Sequence, residues 1–192
     1  MNQADKAINL KEKNNLTRET RKGLVQVFTG NGKGKTTAAM GAIVRAAGHG
    51  WQVFLVSFMK GSYTQGEYKV LSRLPNVEIA QFGLRKFTDP ANIKLEEKEQ
   101  AEAALKAARK AVSSGNYDLV VLDEVNVALS YGLVALDEII KLIEDKPPRV
   151  ELILTGRYAS NRLLEAADLV TEMVKVKHPF DSGIKARKGI EY

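Results

Sequence analysis

Apolar and polar positions along the chain change period again and again. Leu24 to Thr29 is a short β-branched and aromatic run, and a helical pattern follows from Thr36 to about Ala47, ending at Gly48 and Gly50. Trp51 to Phe58 is almost unbroken apolar sequence, the mark of a strand buried on both faces. After the break at Leu74-Pro75-Asn76, Val77 to Phe82 reads as another strand. Ala101, Leu105, Ala108 and Val112 recur at helical spacing up to Ser113-Ser114-Gly115, in a helix opened by Asp89 and Pro90 or by the competing cap Asn92. Tyr117 to Leu122 predicts a strand and Leu136 to Ile143 a helix that closes at Asp145-Lys146-Pro147-Pro148. Val150 to Thr155 predicts a strand, Asn161 to Ala167 a short helix, and Leu169 to Val176 a last strand. Regular alternation of this kind predicts an α/β fold: a mostly parallel sheet with helices on both faces.

Residues 1–22 break the pattern, being polar and charged with Ile8 and Leu10 as neighbouring apolar anchors. They are expected to form an arm, partly helical or without structure, outside a single domain at 23–192. A chain of 192 residues with 44% hydrophobic and 27% charged content suits one domain with a full core. No apolar run approaches a membrane span and the N-terminus lacks a signal-peptide core, so a cytoplasmic protein with no membrane partner is expected. Cysteine is absent and there are only two histidines, His49 and His178, which rules out disulfides and thiolate sites and argues against zinc. The net charge of +6 is spread along the chain without interleaved aromatics, so no nucleic-acid partner is expected. Basic residues around a polyphosphate explain the excess equally well.

One junction carries the chemistry. The first strand stops at Gly30-Asn31-Gly32-Lys33-Gly34-Lys35-Thr36-Thr37, where a helix begins, which is the layout of a phosphate-binding P-loop. Glycines let backbone N–H groups approach phosphate oxygens, Lys35 reaches the outer phosphates, and the Thr36 hydroxyl can ligate Mg²⁺. Thr29 stands where the usual spacing has its first glycine, and Lys33 adds a cation to a loop that carries no acid. A second strand, Leu119 to Leu122, ends in Asp123 and Glu124. Neighbouring strand residues face opposite ways, so one acid can hold Mg²⁺ while the other holds a metal-bound water or a nearby base. Thr155 and Arg157 leave a third strand and Lys60 a fourth, all towards the same cleft beyond the carboxyl ends of the strands. The fold is thus P-loop NTPase-like, and the ligand a nucleoside triphosphate.

At this point the chain resembles the ATP:corrinoid adenosyltransferases (cob(I)alamin adenosyltransferases) of the P-loop type. The likeness runs from Gly23 onward and rests on Phe28 to Thr37, Arg45 to Gly50, Phe58 to Gly61, Val121 to Glu124, Leu154 to Arg157, Val176 to Asp181 and Gly189 to Tyr192. It implies a homodimeric enzyme that moves the 5′-deoxyadenosyl group of ATP onto the reduced cobalt of a corrinoid, such as cob(I)alamin or cob(I)yrinic acid a,c-diamide, and releases triphosphate. It implies a nucleotide site of Gly30, Asn31, Gly32, Lys33, Gly34, Lys35, Thr36, Thr37, Lys60 and Arg157. By the same likeness Thr36 and Glu124 hold Mg²⁺, Phe87 faces the corrin, and Lys35, Thr36, Glu124 and Arg157 carry catalysis. A flavoprotein is the implied reductant. The chain departs from the family at Phe87-Thr88-Asp89, where members often read Phe-Thr-Trp. A small P-loop kinase or ATPase acting on the outer phosphate is the alternative, and a nucleic-acid binder gated by ATP has only the basic charge behind it.

Overall fold

The computed structural model describes residues 21–61, 65–85 and 88–192. Six strands form one sheet: β1 (Val25–Thr29), β2 (Val53–Ser57), β3 (Val77–Gln81), β4 (Leu119–Asp123), β5 (Glu151–Thr155) and β6 (Leu169–Glu172). Their order across the sheet is β3-β2-β4-β5-β1-β6, and every pairing is parallel. Between them run α1 (Lys35–Gly48), α2 (Gly66–Leu71), α3 (Leu95–Ser113), α4 (Val125–Ser130), α5 (Leu136–Glu144) and α6 (Asn161–Glu165). A 3₁₀ turn (Pro179–Ser182) follows β6.

The sheet is covered on both faces because its strands are apolar on both. Val53, Leu55, Leu119, Val121 and Ile153 pack with Ala39, Met40 and Ile43 of α1 and with Tyr68 and Leu71 of α2. The alternate residues Phe54, Val56, Val120, Leu122, Leu152 and Leu154 pack with α3, α4, α5 and Leu163 of α6. Every residue of β2 and β4 is buried, so the continuous apolar runs at these positions follow from their central place. The edge strand β6 is exposed throughout.

The expected elements are all present, with three differences. The long helix begins at Leu95, not near Asp89: the Asp89 carboxylate accepts the N–H of Ala91 (3.0 Å) and closes a local turn. Glu97 instead accepts the N–H of Lys94 (2.8 Å) and caps the helix. The last strand stops at Glu172, four residues short of Val176, because its partner β1 turns away into the loop. Helices α2 and α4, each six residues long, are too short to show a helical period in the sequence. Residues 1–20 of the arm expected at 1–22, and Phe87, lie outside the described residues. Arg21, at the start of the described chain, donates to Asp118 (2.7 Å) and lies over the ring of Trp51.

Candidate active site

Because the sheet is parallel, β2, β4, β5 and β1, four consecutive neighbours, present their carboxyl ends on one edge. The loop after β1 lies there, and α1 follows it with its N-terminus towards the same edge and no acid in its first turn. Lys35 is buried, and its Nζ donates to the Gly32 carbonyl (2.6 Å). Burial lowers its pKa, the positive field of Arg157 lowers it further, and Glu124 opposes both. Arg157 is itself exposed, and its positive charge acts on both Lys35 and Glu124.

Two loop glycines are also required by packing. A Cβ on Gly30 would meet the Met173 carbonyl oxygen at 2.5 Å, and one on Gly32 would meet it at 2.6 Å. The Gly32 N–H donates to that oxygen (2.6 Å), which ties the loop to the continuation of β6. Asn31 adds to the same seam, its Oδ1 accepting the N–H of Lys175 (2.9 Å). Lys33 points away from Lys35 towards the chain's end, with Nζ 3.1 Å from Glu191 Oε1 and 3.2 Å from the Ile190 carbonyl. Thr37 is exposed in the first turn of α1.

The two acids after β4 are placed differently, as the alternation of a strand requires. Asp123 is fully buried and saturated: Oδ1 accepts the hydroxyls of Thr36 (2.9 Å) and Thr155 (2.6 Å), while Oδ2 accepts Lys60 Nζ (2.5 Å). Glu124 has φ 63°, a left-handed conformation uncommon outside glycine, and its side chain is partly exposed. Its N–H donates to Thr155 Oγ1 (3.0 Å), so one threonine hydroxyl orients both acids. Burial raises the Glu124 pKa, as does the neighbouring Asp123 charge, and Lys60, Lys35 and Arg157 pull it back. Lys60 itself is held above its ordinary value: burial opposes the charge, and the carboxylates of Asp123 and Glu124 outweigh it.

The residues fit a hard divalent cation. Lys60 Nζ lies 2.5 Å from Asp123 Oδ2, 3.3 Å from Thr36 Oγ1 and 3.8 Å from Glu124 Oε1, so a cationic group is already surrounded by hydroxyl and carboxylate oxygens. Among the described residues no three His, Cys, Asp or Glu side chains group as a self-sufficient metal cage. Oxygen donors of this kind, carboxylates beside a hydroxyl, are those Mg²⁺ takes, one or two carboxylates with phosphate and water completing the shell.

Thr155 is the site residue whose role sequence reasoning missed. Its place at the cleft was legible, but its bridge between two acids on another strand was not. Thr155→Val removes a donor from buried Asp123 and leaves the Glu124 N–H without its acceptor. The variant should lose about 1–3 kcal/mol of stability in urea unfolding, and its Mg²⁺ requirement should rise. Unchanged values for both would mean that the bridge orients nothing.

The family model for the ATP:corrinoid adenosyltransferase BtuR/CobO/CobP matches residues 21–192. A protein of Pseudomonas aeruginosa named corrinoid adenosyltransferase is 40% identical over 171 residues, covering 89% of this chain and 84% of that one. Proteins of the same name from Sinorhizobium and Escherichia coli are 38% identical over 185 residues and 37% identical over 171 residues. They cover 95% and 89% of this chain, and 86% of each relative.

Proposed function

The chain belongs to the ATP:corrinoid adenosyltransferase family, and from that premise we propose that its loop holds the entire triphosphate of ATP as a leaving group. The enzyme transfers the adenosyl group of ATP to a corrinoid. In the proposed step the reduced cobalt of the corrinoid substrate attacks the ribose 5′ carbon. A cobalt–carbon bond forms, the C5′–O bond breaks, and triphosphate departs with the bonding pair. The nucleophile has no proton to lose, so the protein's work is to align the reactants and to stabilise charge on the leaving group.

One observation supports this most: the carboxyl ends of four neighbouring strands bring Lys35, Thr36, Lys60 and Arg157 together around two carboxylates of unequal role. Lys35 and the N-terminus of α1 receive the phosphates, and Arg157 adds charge from the open side. Mg²⁺, when bound, would supply charge at the phosphate oxygens. Thr36 Oγ1 is suited to hold it because its proton is engaged by Asp123, so that its lone pairs, which receive Lys60 at 3.3 Å, face a cation. Glu124 is suited to be the direct carboxylate ligand because its side chain is partly exposed, whereas Asp123 is fully buried with Oδ1 taken by two hydroxyls. Glu124→Gln should therefore raise the Mg²⁺ concentration for half-maximal activity more than Asp123→Asn does. The reverse order would exchange the two roles.

The working enzyme is proposed to be a cytoplasmic homodimer supplied with electrons by a flavoprotein. Supporting a dimer, the chain after β6 exposes the apolar side chains of Val174, Val176, Phe180 and Ile190. No described helix is long and apolar enough to cross a membrane. Phe87 is proposed to face the corrin. Incubation with ATP, Mg²⁺ and chemically reduced cobalamin tests the central step: the cobalt–carbon bond should appear in the absorption spectrum, and with Mg²⁺ omitted it should not.

A further inference from the structure

Lys60 enters the site from a rigid root. Its N–H donates to the Phe82 carbonyl (2.9 Å), and Met59 before it has φ 56°. A Cβ on Gly61 would meet the Gly83 carbonyl oxygen at 2.6 Å, and one on Gly83 would meet Met59 Cα at 2.7 Å. The backbone of β2's exit is thus locked against the exit of β3, and only side-chain torsions are left to move Nζ. The ammonium uses the oxygens a metal would use. The Thr36 hydroxyl sends its proton to Asp123 Oδ1 (2.9 Å), so the lone pairs that receive Lys60 (3.3 Å) are those left for a cation. Glu124 Oε1 at 3.8 Å completes the surround, and the Lys60 side chain is only 14% exposed.

We propose that Lys60 is a tethered counter-cation, holding the metal's place among Thr36, Asp123 and Glu124 until nucleotide arrives. The proposal rests on Thr36 and Glu124 being the metal ligands. Without an anion to receive it, the ammonium has nowhere better to go, and a divalent cation must displace it against the ion pair with Asp123. Incoming phosphates give Lys60 another partner within reach of its long side chain, so metal and nucleotide enter together. In the nucleotide-free enzyme Lys60 offsets the repulsion between the two adjacent acids.

Mn²⁺ is the probe, and its binding to the nucleotide-free full chain is followed by electron paramagnetic resonance of the free ion. Lys60→Met should bind Mn²⁺ tenfold or more tightly than the wild type. Inorganic triphosphate should tighten Mn²⁺ binding in the wild type, and by a smaller factor in Lys60→Met, as linkage requires. Unchanged or weaker Mn²⁺ binding in folded Lys60→Met would overturn the proposal. The wild type gives an independent readout, since saturating Mn²⁺ alone should speed acetylation of Lys60 by acetic anhydride several-fold, measured by mass spectrometry. Unchanged labelling with Mn²⁺ bound would also overturn it. Glu124→Gln separates the inference from its premise. Mn²⁺ binding undiminished there removes the metal assignment and the proposal with it. Binding lost there yet unchanged in Lys60→Met removes the proposal alone.

Discussion

Lys35→Met is expected to lower kcat/KM for ATP by about 100- to 1,000-fold, the scale seen when one preorganised donor facing a developing anion is removed. The fold should not suffer. Lys35 is buried with its pKa lowered, first by burial and then by Arg157, so the folded protein disfavours the charge it carries. For a base shifted down on folding, that penalty is complete below the lowered pKa and vanishes as pH rises past the ordinary value of 10.5. Methionine keeps the aliphatic stem and drops the charge, giving up only the bond to the Gly32 carbonyl (2.6 Å). Thermal unfolding of the nucleotide-free variant at neutral pH should therefore match or exceed the wild type. A marked fall in melting temperature would make Lys35 a structural residue, and undiminished turnover in the folded variant would remove it from the phosphate site.

Gly32→Ala is the second large effect, and it acts through the backbone. The new Cβ would meet the Met173 carbonyl oxygen at 2.6 Å, the Val174 carbonyl oxygen at 2.8 Å and the Met173 carbonyl carbon at 2.9 Å. None of these is a flexible side-chain end, so the loop must lift from the strand and give up the 2.6 Å bond from the Gly32 N–H. The overpacking should cost about 1–3 kcal/mol. Activity should fall about 100-fold or more, because misplacing the phosphate groups by an ångström is enough for that. Urea unfolding and steady-state rates check the two parts. A variant of full stability and activity would show that the loop does not need its seam with Met173.

How much of this was legible follows from how far each contact reaches along the chain. Strands β2 and β4 were readable because central strands of a parallel sheet are apolar on both sides, and that is a local pattern. The convergence of Lys60, Asp123, Glu124 and Arg157 was readable too, since residues leaving parallel strands must share one edge. Helices α2 and α4 hid behind their brevity, and the opening of α3 went to Lys94 because Asp89 spends its carboxylate on a local turn. The bridge of Thr155 to Asp123 and the turn of Lys33 towards Glu191 join positions 32 and 158 residues apart, with no periodicity to announce them. At Gly30 and Gly32 the structure adds a second demand for glycine, the close approach of Met173. Phosphate approach is legible in the local motif, and the packing against Met173 is not.

The identity of the leaving group separates adenosyl transfer most directly from hydrolysis or phosphoryl transfer at the same loop. As the proposed metal ligand, Glu124 would not be free to take a proton from water, so ATP alone should be hydrolysed slowly. The measurement is anion-exchange chromatography of the phosphate products, with and without reduced corrinoid, under otherwise identical conditions. With corrinoid, inorganic triphosphate should accumulate in one-to-one ratio with the adenosylated product, and without it almost no triphosphate should form. ADP and orthophosphate released at equal rates in both reactions would contradict the account, leaving a nucleotide site that attacks the outer phosphate.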